Sequence, residues 1–387
     1  MIVGRRWVER NLGFNPITTP APAATFAFAK AARSSSPEDL QREIIDFDSE
    51  GPEGREFLAF TTATGLSRFT DIPWPKGLAP QTDKTVAKGA GGALPKADIL
   101  VVTWTVDEGH ALSRVLTPGK DSHNDYLPYT HNFASISKKM RKGCPALLAK
   151  RLGAYWTAKI GKKSVVVFKS DSHMSQDGPQ LPNVDVWAQI IEETKPELVI
   201  TTGTAGGIGK QFEVGDVILS PLVQFDCKQK FKNKKVDGKS IAKAHYASEV
   251  PKIKYLAKTK TLFKANSGQL PKDNTRPPKV FQTAPTDLPS SVVTTDFFGF
   301  DTSDDHYGLQ GLGHVSEMGD AVLGLVATEV LTAPVRWVAV RNVSDPQIKA
   351  EGTLQEQSAL AAQIYKGFGR WSSVCSAIVC WALIAAE

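Results

Sequence analysis

The sequence is poor in the features that mark several classes of protein. Its 387 residues include four cysteines, Cys144, Cys227, Cys375 and Cys380. They form no CxxC pair and have no metal-ligand spacing, which argues against a disulfide framework and a zinc module and for reduced thiols. The N-terminal "MIVGRRWVERNLGF" lacks the apolar core of a signal peptide, so a cytoplasmic location is expected. The C-terminal run "VCSAIVCWALIAA" has thirteen residues, short of the roughly 20 that cross a bilayer. It reads as a buried last helix or an oligomer contact, with no membrane role. Neither sign of charge dominates, since 46 Lys and Arg face 40 Asp and Glu for a net +6. That balance suits a solvated lysine-rich face and gives no reason to expect nucleic acid as a partner. His131, His173 and His306 are scattered without paired spacing, so no metal is expected, and there is no internal repeat.

What is present is a pattern of strands alternating with helices from Ala97 onward. "DILVVTWTV" reads as a buried strand and "DEGHALSRVL" as a helix with Ala111, Leu112 and Val115 on one face. "SVVVFKS", the helix "NVDVWAQIIEETK" and the strand "ELVITTG" follow. Later come "SVVTTDFFGF", a helix "EMGDAVLGLVATEVL", the strand "VRWVAVRNVSD" and a long helix from about Leu354. Such alternation predicts an α/β fold with a largely parallel, covered sheet. Residues 1–95 read as an extension and linker of no assigned role, with a short helix after Ser36-Pro37. Residues 96–387 read as the main domain, interrupted by basic insertions at about 117–160 and 228–285.

One stretch, "ELVITTGTAGGIGKQFEVGDVILSP", raises a specific question. An apolar strand enters the glycine-rich Gly203-Thr204-Ala205-Gly206-Gly207, as in a dinucleotide fold, but a second strand follows where a phosphate-binding helix should start. Read alone, this is a tight strand-turn-strand connection whose glycines permit close approach of another group.

Four segments in this order, "TVDEGHAL", "TTGTAGGIGKQFEVGDVILS", "SEMGDAVLGLVA" and "AVRNVSDP", resemble the nucleoside phosphorylase and nucleosidase superfamily, especially the methylthioadenosine/S-adenosylhomocysteine nucleosidases. The resemblance covers about Ala97 to the C-terminus. It implies a twisted mixed, partly closed β-sheet flanked by helices, with the glycine stretch, including Thr204, Ala205 and Gly206, lying against a nucleoside. It also implies that Asp345, beside Ser344, protonates the leaving purine, and that Glu108 orients and deprotonates the attacking water. Asp107 is the alternative if the register is off by one. A carboxyl at an apolar strand end can keep its proton near neutrality, although Ser344-Asp345-Pro346 also reads as a helix start and Glu108 as a helix N-terminal acid.

Met318 matches a residue that packs under the sugar. The family's sugar-binding glutamate, however, is Gly319 here, leaving Glu317 or Asp320 as substitutes. Phe298, followed by Gly299, matches a base-stacking aromatic, with Phe297 and Phe300 open to a core reading. Phosphorylases carry a phosphate-gripping arginine where this chain has Thr201, which favours water as nucleophile unless Arg341 or an insertion lysine stands in. The resemblance therefore implies a hydrolytic purine N-glycosidase without cofactor, homo-oligomeric, that releases adenine from a nucleoside. Some relatives act on AMP or, as bacterial immune effectors, on ATP, and the lysines of "SKKMRKG" and of 228–264 suit a 5′-phosphate. A phosphorylase and a non-catalytic nucleotide-binding protein are the other readings.

Overall fold

The computed structural model describes residues 72–86, 88, 89, 92–266 and 274–387. The short helix expected after Ser36 lies outside them. The strands that position the site are β1 (Ile99–Thr103), β2 (Gly153–Ile160), β3 (Lys163–Ser170), β4 (Leu198–Gly207), β5 (Val217–Ser220), β6 (Leu222–Asp226), β7 (Ser291–Thr295), β8 (Gly313–Glu317) and β9 (Arg336–Asp345). The principal helices are α1 (Val106–Leu116), α2 (Asn183–Thr194), α3 (Asp320–Leu325) and α4 (Leu354–Ile384).

The strands belong to one 13-stranded sheet in which β2, β3, β1, β4, β8, β7 and β6 lie side by side. Strands β1, β3 and β4 run parallel, whereas β2 is antiparallel to β3 and β8 antiparallel to β4. The sheet is thus mixed, where alternation alone predicted a mostly parallel one. Its apolar strands are buried on both faces, as helix-covered sheets require. Both expected insertions are partly sheet. The first ends in β2; the second supplies His245–Ala247 beside β6 and Val280–Gln282 beside β5.

Strand β4 organises the molecule. Strand β9 runs parallel along one side of it, from Arg336 opposite Leu198 to Asp345 opposite Gly206. On the other side β1 accompanies only Leu198–Thr201, and β8 joins only at Gly206 and Gly207. Between these two partners, around Thr204 and Ala205, the sheet parts and a cavity opens.

Helix α4 is the buried last helix that the sequence suggested, and it packs on β9, β4 and α1. It is longer than its apolar tail implied. Gly367–Ile384 is long and apolar enough to cross a membrane by length and composition, yet 94% of it is buried inside the protein. The four cysteines are free and buried.

Candidate active site

The glycine stretch does not turn. Strand β4 continues through Gly207, and its glycines make room for side chains from other elements. At Gly203 the backbone has φ +153°, and a Cβ there would lie 2.5 Å from Glu108 Oε1. A Cβ at Gly206 would lie 3.0 Å from Asp345 Oδ2 and 3.3 Å from Ser316 Oγ. One bare strand therefore passes under two carboxylates. Three residues of strand separate these points, about 10 Å at 3.3 Å per residue, roughly the length of a nucleoside.

Glu108 is held by the start of α1. Thr105 caps the helix, and Glu108 closes a capping box by accepting the Thr105 backbone N–H at 2.9 Å. The same oxygen accepts from Thr103 Oγ1 and from the Trp104 N–H, while the other accepts the N–H and hydroxyl of Thr204, each at 2.7 Å. Burial raises the carboxyl's pKa, but the Arg341 charge and the Thr105 and Thr204 donors outweigh it. The net shift is downward, so the group is ionised. Glu108 is therefore both the acid of the α1 capping box and a residue of the cavity lining. Asp107, the alternative, is not among the cavity-lining residues.

Asp345 ends β9 and caps no helix, because α4 starts at Leu354 behind its own Thr353 cap. It is 7% exposed. Burial pushes its pKa up to about 6 against a smaller opposing effect of the Ser344 hydroxyl, which donates to Oδ1 at 2.7 Å. Among the described residues no cation pairs with it.

Around these acids lies an open-mouthed cavity of about 720 Å³ of empty space, the solvent at its mouth included. Thr204, Ala205, Gly206, Phe298, Gly299, Glu317, Met318, Gly319 and Ser344, all expected to contact substrate, line it. Phe298 is half-buried at its wall, whereas Phe297 and Phe300 are core residues, 4% and 0% exposed. Thr201, at the position of the phosphorylase arginine, is wholly buried in β4 and does not reach the cavity.

Asp320 departs from expectation. Residues 317–319 are not helical: β8 ends at Glu317, and α3 begins after Gly319, which occupies its N-cap. Asp320 then points away from the cavity and grips Arg341 through both oxygens, at 2.5 and 2.7 Å. Arg341 also donates to Glu317 at 3.1 Å and lies over the Trp104 ring at 4.6 Å. Of the two substitutes for the missing sugar carboxylate, Glu317 is the one at the cavity. Burial and the neighbouring Asp320 charge push its pKa up to about 7.

Trp104, Thr105, His173, Thr295, Ser316 and Tyr365 also line the cavity but carried no sequence signal. Burial pulls His173 down to about 4, so it is neutral. Tyr365 reaches the site from α4, its hydroxyl donating to Thr105 Oγ1 at 3.3 Å. The insertion lysines do not line the cavity. Lys139 pairs with Asp185, Lys230 donates to the Ser175 carbonyl, and Arg141 is taken up by Gln176. Among the described residues no cluster of ligand side chains could hold a metal ion.

The chain belongs to the phosphorylase superfamily, whose family model matches residues 128–379. Asp345 falls inside that stretch and Glu108 precedes it. No curated protein matches the chain. Among solved structures it is similar to the 5′-methylthioadenosine/S-adenosylhomocysteine nucleosidase of Neisseria meningitidis in complex with methylthio-immucillin-A. The two are 16% identical over 75% of this chain and 100% of that one, with TM-score 0.46. It is also similar to the Helicobacter pylori enzyme of the same name (13% identity, 75% and 98% covered, TM-score 0.45) and to the futalosine hydrolase of that organism (13%, 74% and 96%, TM-score 0.43).

Proposed function

We propose that this protein is a hydrolytic purine N-glycosidase that releases adenine from an adenosine-type nucleoside. The observation that carries the reading is the pair of carboxyls on one cavity wall, an ionised Glu108 and an Asp345 held toward its protonated form. Asp345 donates its proton to the departing base, so that the base leaves neutral. Five donors fill the Glu108 carboxylate, so in this reading the Thr204 hydroxyl turns from Oε1 to a water near the anomeric carbon, and Glu108 takes the proton that the water loses. Phe298 stacks on the base, a contact worth about 1–3 kcal/mol, and Met318 packs against the sugar.

Water is favoured over phosphate as nucleophile by the state of Arg341. Its charge is already matched by Asp320 and Glu317, and Thr201 offers no cation in its stead. A 5′-phosphate is disfavoured for a related reason, since the insertion lysines are absent from the cavity lining and three carboxyls are present. The reading therefore narrows to nucleosides with an uncharged 5′ group, ahead of AMP or ATP. Assembly into oligomers and a cytoplasmic location remain part of the proposal.

The test is chromatography of free base from methylthioadenosine, adenosylhomocysteine, adenosine, inosine, AMP and ATP, with and without inorganic phosphate. Phosphate-independent adenine release from the uncharged nucleosides is expected. Release that requires phosphate would make the protein a phosphorylase, and faster release from AMP or ATP would overturn the 5′ assignment. Adenine binding without any release, unchanged in Asp345→Asn, would mark a non-catalytic binding protein.

A further inference from the structure

Few carboxylate sites in the cavity are free for a sugar. Glu317 is the nearest carboxylate to the bare Gly319, and it is largely engaged. Its Oε1 accepts from Thr294 Oγ1 and from the Asp320 N–H, and its Oε2 from Arg341. A carboxylate has about four lone-pair sites, so one remains, enough for a single hydroxyl and not for a vicinal pair. Asp320 is turned onto Arg341.

Where a second acceptor would stand there is an indole. A Cβ at Gly319 would lie 3.3 Å from Trp104 Cζ2 and 3.6 Å from Glu317 Oε2. The Arg341 guanidinium, itself in the cavity lining, lies over the Trp104 ring, which meets Trp187 edge-on at 6.1 Å. It is 8% exposed and lines the cavity. A hydroxyl pressed against this wall loses its water without gaining a partner, which costs about 1–3 kcal/mol.

We propose that Trp104 and Gly319 form a specificity-determining pair that gives the sugar site an apolar wall, so that the protein takes deoxynucleosides, with a single hydroxyl on the sugar edge facing that wall, at least as well as ribonucleosides. The inference rests on the nucleosidase reading and deepens it by naming the sugar class. A site built to hydrogen-bond a substrate hydroxyl rejects the analogue without it by about 10⁴–10⁵, whereas an apolar surface discriminates far less. Deoxy sugars also lose their bases more readily, so binding must be measured beside turnover.

The experiment measures adenine release and equilibrium binding of adenosine, 2′-deoxyadenosine and 3′-deoxyadenosine by the full chain. At least one deoxy congener should bind as tightly as adenosine, or more tightly, and be turned over. In the double variant Trp104→Ala/Gly319→Glu, which replaces the ring by space and a carboxylate, binding should shift toward adenosine by about tenfold or more. Circular dichroism and a melting curve check that this variant folds; if it does not, the wild-type ratios decide alone. Tighter binding of adenosine than of both congeners would overturn the apolar wall while leaving the nucleosidase intact. Comparable binding of all three without release would overturn the nucleosidase and keep the wall. Binding of none would overturn both.

Discussion

The two ends of the cavity are built from the same strand and differ in almost every electrical respect. At the Gly203 end Glu108 accepts five hydrogen bonds and sits near Arg341, which is itself clamped by two more carboxylates. At the Gly206 end Asp345 accepts from the Ser344 hydroxyl and, among the described residues, pairs with no cation. Burial is nearly equal, 3% against 7% exposed. Partners rather than depth decide which acid keeps its proton, and this contrast supports the proposed roles of acid and base.

The largest effect should come from Asp345→Asn, which keeps the shape and removes the transferable proton. Adenine release at neutral pH should fall by about 10²–10⁴ with little change in nucleoside affinity, and an unchanged rate would end the assignment. Glu108→Gln should lower kcat by a comparable or smaller factor. It should also weaken the α1 cap, costing about 1 kcal/mol in the melting transition, a loss that Asp345→Asn should not show. If the two variants melted alike, the division between a structural and a purely chemical acid would be wrong. Phe298→Ala should weaken substrate binding by about 1–3 kcal/mol, read as a raised KM.

The pH profile sharpens the same comparison. The active form needs Asp345 protonated, so kcat/KM should fall about tenfold per unit above a pKa of about 6. Glu108 lies below the ordinary glutamate value of 4.5, so the acid limb should begin below that. In Glu108→Gln the acid limb should vanish and the alkaline limb remain. Loss of the alkaline limb instead would exchange the two roles.

Much of this was legible in the sequence, and the gaps have physical causes. Local pattern places Asp345 at an apolar strand end and Glu108 at a helix start, but only the resemblance of their segments singles them out as candidate acids. The glycine stretch was misread as a turn because its glycines answer to a helix almost a hundred residues upstream. No local rule contains that contact. The choice between Asp320 and Glu317 stays open in the sequence for a similar reason, since Arg341, which pairs with Asp320 away from the cavity lining, lies on the next strand. Trp104 and Tyr365 look like ordinary core aromatics until β1 and α4 are brought to one opening. The added strands at 245–247 and 280–282 are three residues each, too short to show a period.

Glu108 terminates one element and pins another: the carboxylate that closes the first turn of α1 also holds Thr204 in the middle of β4. Whatever polarises that carboxylate during catalysis also tugs on the helix start. Occupancy of the cavity and fraying of α1 are therefore thermodynamically linked, and the coupling must be reciprocal. A ligand that draws on Glu108 should change the hydrogen exchange of the amides at 105–108, and a loosened α1 should bind its ligand differently in return.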